Sequence, residues 1–147
     1  MTLPEKFNGS RFTHPLMGYF ADDGHTFVLT EDFTYTDADG QKHTTPAWSR
    51  IDGGTIPRFF WRVIGGPFMF AVEAYAIHDG YCKRSEKMAW REMKKYRAVG
   101  DRVFLDILDY LATYRDNLPP WKRTAMFRGV RLGSMNAVRK KRQQERE

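Results

Sequence analysis

The 147-residue chain has one cysteine, Cys82, and only four histidines. A single cysteine excludes an internal disulfide and a cysteine-rich zinc site. No run approaches the roughly 20 apolar residues that span a bilayer. The opening MTLPEKFNGSRF lacks the apolar segment of a secretory signal, so the expectation is a product that starts in the cytosol. No phosphate-cradling glycine loop is present, because IDGGTIPR has neither the lysine nor the spacing. Ser10, Ser49, Ser85 and Ser134 stand in no nucleophile-elbow context. Internal repeats and low-complexity linkers are missing as well.

Acidic residues are scarce at the C-terminal end. Residues 121–147 hold nine Lys or Arg and two Glu, a net +7, whereas the first 120 residues hold 15 basic and 16 acidic groups, a net −1. The basic character therefore belongs to one segment, chiefly VRKKRQQERE. Such a segment suits nucleic acid, an acidic protein surface or simply solvent. With 41% hydrophobic and 15% aromatic residues, the rest is composed like a folded domain. The expected organisation is one domain over residues 1–137 followed by a basic tail over 138–147.

The first half reads as strands. LMGYF (16–20), HTFVLT (25–30) and DFTYT (32–36) mix aromatic and β-branched residues between the turn signals ADDG and DADG. Asp39-Gly40 predicts a hairpin, with QKHTTPAWSR as the return strand and Pro46 at an edge or a break. The second half reads as three to five helices. Thr55 caps the first, with Pro57 in its opening turn and Gly65-Gly66-Pro67 after it. A second runs from Phe68 to Asp79 and stops at Gly80. One or two more cover residues 85–115, where Val103, Phe104, Ile107, Leu108 and Leu111 keep helical spacing. Pro119-Pro120 starts the last. The fold class is α+β, a small antiparallel β-meander followed by a helical subdomain.

Chemistry concentrates in a few short blocks. Asp52, His78, Asp79 and Asp101 are one imidazole and three carboxylates, a donor set suited to Mg²⁺ or Mn²⁺. Neighbouring His78 and Asp79 lie about 100° apart around a helix, so they reach one ion only if the helix ends there. The alternative reading is a polar network of Asp52, Thr55, Arg58, His78, Asp79, Arg97 and Asp101, in which the arginines pair with the carboxylates as planar forks. On that reading no metal or other cofactor is expected. Cys82 lies four residues past His78 and beside Lys83 and Arg84. It reads first as a packing residue and second as an activated thiol. Phe59, Phe60, Trp61, Phe68 and Phe70 are many large side chains for a short helical stretch. With Arg139, Lys140, Lys141 and Arg142, they are the candidate interface residues.

Four blocks in order resemble the DUF1353 family of phage and prophage proteins: SRFTHPL, IDGGTIPRFFW, AIHDGYC, and YRAVGDRVF followed by MFRGVRLGS. The likeness covers roughly residues 10–134 and includes Asp52, Arg58, His78, Asp79, Arg97 and Asp101. Ile51 stands where the family usually has Thr, Thr55 where it has Ser, and Gly80-Tyr81 where it has Tyr-Leu. The resemblance implies a phage or prophage origin, with synthesis in a bacterial cytoplasm. Two expectations follow. One is a virion-associated structural or assembly protein of the tail or a junction, bound in a multi-copy assembly to other phage structural proteins. The other is a small metal-dependent hydrolase using His78, Asp79 and Asp101 as catalytic groups, with Asp52 as a further ligand.

Overall fold

The computed structural model describes residues 10–52, 59, 61–64 and 71–147. Thr55, Pro57, Arg58, Phe60, Phe68, Phe70 and the Gly65-Gly66-Pro67 break lie outside these described residues. The architecture is α+β, with two small antiparallel sheets followed by helices. Strands β1 (Gly18–Phe20), β2 (Phe27–Leu29) and β5 (Arg50–Ile51) form one sheet in the order β1-β2-β5. Strands β3 (Phe33–Thr36) and β4 (Lys42–Thr45) form the other.

The DADG signal does make a hairpin. Phe33 pairs with Thr45 and Thr36 with Lys42, and Gly40 sits at a φ of +82°, where a side chain would be strained. Asp37 holds the turn by accepting from the backbone N–H groups of Asp39 and Gln41. The return strand is shorter than its sequence suggests. Pro46 brings no N–H to a ladder, and Trp48 takes a positive φ of 68°. The chain leaves β3 there and joins β2 as β5, pairing Phe27 with Ile51. Two sheets replace the single expected meander for that reason.

The helices are a short α1 (Trp61–Ile64), then α2 (Val72–Ser85), α3 (Trp90–Ala112) and α4 (Pro120–Arg146). The expected stop at Gly80 does not occur, and α2 runs on to Ser85. Gly80 serves contact instead of termination. A Cβ there would fall 2.4 Å from Thr45 Oγ1, and that hydroxyl is already committed to the Ala76 carbonyl at 2.8 Å. Glycine thus lets α2 press onto β4. Residues 90–112 form a single helix, with Met93, Arg97, Gly100, Asp101, Phe104, Ile107, Leu108 and Leu111 buried along one side. Pro120 opens α4, which passes residue 138 without a break.

Leu29, Phe33, Tyr35 and Ile51 from the sheets meet Ile77 of α2, Phe104, Ile107 and Leu108 of α3, and Met126 and Val130 of α4 in one core. The end of α4 is tied to the corner between α2 and α3. Lys141 Nζ donates to the Glu86 carbonyl at 2.9 Å, and Glu145 accepts from the Trp90 N–H at 3.1 Å. Arg142 lies 4.9 Å over the Trp90 ring.

Candidate functional site

Helix α2 places His78, Cys82 and Ser85 at successive four- and three-residue steps, so all three share one side. Facing them, α3 places Arg97, Asp101 and Phe104 with the same spacing. The two helices together form a polar seam inside an otherwise apolar contact. His78 is 1% exposed and Asp101 0%. His78 Nε2 lies 2.6 Å from Asp101 Oδ1, and the Phe104 ring packs edge-on at 5.4 Å from the imidazole.

Asp101 has two further donors, both from α4. Ser134 Oγ donates to Oδ1 at 2.9 Å, and Arg131 Nη1 to Oδ2 at 2.8 Å. With these bonds and His78, the carboxylate is charge-balanced and multiply bonded, as a buried carboxylate must be. With Nε2–H donating to Asp101, Nδ1 faces the other way, toward Cys82 Sγ at 3.6 Å. Burial by itself pushes the imidazole down. The Cys82 sulfur and the Asp101 carboxylate outweigh it, and the pKa of His78 is raised to about 10.

The seam opens into a cleft of about 420 Å³ between α2, α3 and α4. Asp52, Asp79, Cys82, Arg97, Asn136 and Lys140 are among its walls. Cys82 separates His78 from this space. Arg97 is 8% exposed and its Nε donates to Ser85 Oγ at 3.1 Å. That hydroxyl in turn donates to the Cys82 carbonyl at 2.6 Å. Among the described residues no carboxylate pairs with Arg97, contrary to the fork pairing that the sequence suggests; Arg131 takes that place on Asp101. The guanidinium faces the cleft, whose walls also carry the carboxylates of Asp52, Asp79 and Glu86.

His78 and Asp79 diverge because α2 does not end at Gly80. Asp79 turns toward β5, where its Oδ2 accepts from the Asp52 N–H at 3.1 Å. The four residues read as metal ligands therefore divide into two pairs. Among the described residues no group of three or more His, Cys, Asp or Glu side chains is arranged around a common point for an ion. Of the interface candidates, Phe59 is exposed, Trp61 is half-buried against the core, and Lys140 lines the cleft. Lys141 and Arg142 are the contacts at the α2–α3 corner, and Arg139 donates to Asn136 Oδ1 at 3.2 Å.

Sequence reasoning gave Cys82 first a packing role and second that of an activated thiol, set Ser85 and Ser134 aside as nucleophiles without giving them another role, and passed over Arg131. Cys82 and Ser85 carry a signal, the four- and seven-residue spacing from His78. The α4 pair carries none beyond its three-residue spacing, because nothing in the chain says which helix will cover Asp101.

A second buried histidine sits apart from the cleft. His43 of β4 has Nε2 2.9 Å from Asp37 Oδ2 and Nδ1 2.5 Å from the Tyr81 hydroxyl of α2.

Comparison with known proteins finds a curated relative and a family. Over 111 residues the chain is 32% identical to an uncharacterized protein, y4jT, of Sinorhizobium fredii. The match takes in 75% of this chain but 29% of the relative, so the chain spans less than a third of that protein's length. No solved structure matches. The family model described as a protein of unknown function, DUF1353, matches residues 27–130, from β2 into α4 and across the whole α2–α3 seam. The chain belongs to the DUF1353 family.

Proposed function

We propose that the cleft is the active site of a small hydrolase acting on an anionic substrate. The observation that carries this reading is Arg97, a buried guanidinium with no carboxylate partner among the described residues, on the wall of a cleft beside the His78–Asp101 pair. A substrate carboxylate or phosphate supplies the missing counter-charge as a planar fork. Lys83 and Lys140 stand on the same walls with Asp52, Asp79 and Glu86, so the selectivity for an anion rests on Arg97, the buried cation among them. The His78–Asp101 pair supplies a proton relay held in one orientation.

The test is hydrolysis of a panel of chromogenic carboxylate-bearing esters and phosphomonoesters, with and without Mg²⁺ or Mn²⁺. Cleavage should need Arg97, and Arg97→Gln should raise KM about tenfold or more, the size of one charge-assisted hydrogen bond. Inorganic phosphate should also raise the Tm of the native chain and not of Arg97→Gln. A cation-dependent rise in Tm, lost in Asp52→Ala, would favour the metal-dependent version. A chain that cleaves nothing and that phosphate leaves unchanged would sink the hydrolase reading.

The surface favours a second reading. Tyr19 and Phe20 on edge strand β1 are 51% and 55% exposed, and Trp48 is 67% exposed. Exposed aromatics and an open strand edge are what subunit contacts use. On this reading the chain is a phage virion component of the tail or a junction, present in several copies. Its exposed aromatics and the basic half of α4 meet other structural proteins or nucleic acid. Quantitative mass spectrometry of purified particles decides it. A fixed ratio to a known tail protein supports incorporation, and absence from particles overturns it.

A further inference from the structure

We infer that Cys82 is the nucleophile of this cleft, activated by His78 and Asp101, and that the reaction is transfer of an acyl group bearing a negative charge. The inference rests on the hydrolase reading and names its chemistry. Four observations converge. Cys82 Sγ is 3.6 Å from His78 Nδ1, and His78 Nε2 is 2.6 Å from Asp101 Oδ1. That is the order nucleophile, base and orienting carboxylate. Cys82 lines the cleft while His78 lies behind it, so of the three groups the sulfur is the one a substrate meets. Ser134 and Arg131 fix Asp101 from the far side, leaving the imidazole one orientation. In Arg97 the same cleft holds a cation whose side chain is anchored through Ser85 to the Cys82 carbonyl. The Ser85 hydroxyl thereby links Arg97 to the backbone of the residue that carries the sulfur.

The chemistry balances without an outside reagent. In the resting site the proton shared by Sγ and Nδ1 sits on Nδ1, so a thiolate faces an imidazolium that Asp101 stabilises. The thiolate attacks the acyl carbon of an ester or thioester, a C–S bond forms, and the bond to the leaving group breaks. Nδ1–H protonates the leaving oxygen or sulfur. Water then attacks the thioester, Nδ1 accepts its proton, and the acid departs, leaving the thiolate beside the imidazolium. Arg97 holds the charged end of the acyl chain throughout.

Having one cysteine makes the test direct, because any thiol adduct reports a single atom. Intact-mass spectrometry after mixing with the monoanionic 4-nitrophenyl succinate should show one acyl adduct. The adduct should be absent in Cys82→Ala and should form about tenfold faster than with neutral 4-nitrophenyl acetate. Iodoacetamide at pH 6 should alkylate the folded chain faster than the urea-unfolded chain, where the thiol has an ordinary pKa of about 8.5. His78→Gln should reverse that order while circular dichroism shows it folded. If His78→Gln fails to fold, the folded-versus-unfolded comparison in the native chain still decides. Slower alkylation in the folded state than in the unfolded state overturns the thiolate. Ester hydrolysis that survives Cys82→Ala but falls in Arg97→Gln overturns the thiol assignment and leaves the hydrolase reading standing.

Discussion

Two buried histidines each pair with an aspartate, yet they lie in different settings. His43 joins a β-hairpin to α2, with Asp37 on one ring nitrogen and Tyr81 on the other. His78 joins three helices, with Asp101 on one nitrogen and a thiol on the other. Asp37 is part of a turn and partly open to solvent, whereas Asp101 is wholly enclosed. The contrast shows that a His–Asp pair is not itself a site. What separates the two is the third group, a phenol that ties elements together or a sulfur on a cleft wall.

The comparison is broken most severely at Asp101. Asp101→Ala strands His78 and Arg131 without their acceptor, and loss of one partner of a buried pair costs about 3–5 kcal/mol. Urea unfolding of the variant should show that loss. Gly80→Ala comes next, since it presses against Thr45 on the strand that carries His43 while sitting two residues from His78. Overpacking there should cost about 1–3 kcal/mol by the same measurement, despite the gain in helix propensity. His43→Gln loses the bonds to Asp37 and Tyr81 and should cost about 1–2 kcal/mol, with Cys82 alkylation unchanged. An altered alkylation rate would show that the two histidines are coupled.

Titration sharpens the same contrast. His78 holds its proton more tightly folded than unfolded, where its ordinary value is 6.5. Its stabilisation is complete below pH 6.5 and is lost as the pH rises through about 10. Burial works against this, and Cys82 and Asp101 together outweigh it. Asp37 is held below its ordinary 3.8, chiefly by the bond from His43. Its stabilisation is present above pH 3.8 and is lost as the pH falls through the lowered value. Tm should therefore fall on the alkaline side in the native chain and not in His78→Gln. The acid-side fall should weaken in His43→Gln. Identical profiles for the two variants would erase the distinction.

Much of the fold was legible in the sequence because local signals and tertiary structure agree. Asp39-Gly40 made its hairpin, Pro120 opened its helix, and the Val103–Leu111 spacing lies on the buried side of α3. Gly80 misled because its lack of a side chain is used for close approach, which looks the same in sequence as a helix stop. The strand after Pro46 misled because β5 exchanges one sheet for another over only two residues. In the site, His78, Asp79, Arg97 and Asp101 are polar at buried positions and Asp52 is exposed, but their pairing depends on helix phase. A helix continuing past Gly80 puts His78 and Asp79 on different sides, so His78 meets Asp101 while Asp79 meets the Asp52 N–H.

The bond between Glu145 and the Trp90 N–H bears on the timing of synthesis. Ala89 brings no side-chain cap to the start of α3, and the acceptor that satisfies it comes 55 residues later. While the chain is being translated, the α2–α3 hairpin can emerge and collapse with that end of α3 still open. The end closes only when the final turn of α4 has left the ribosome. Completion of the last helix thus also completes the one before it.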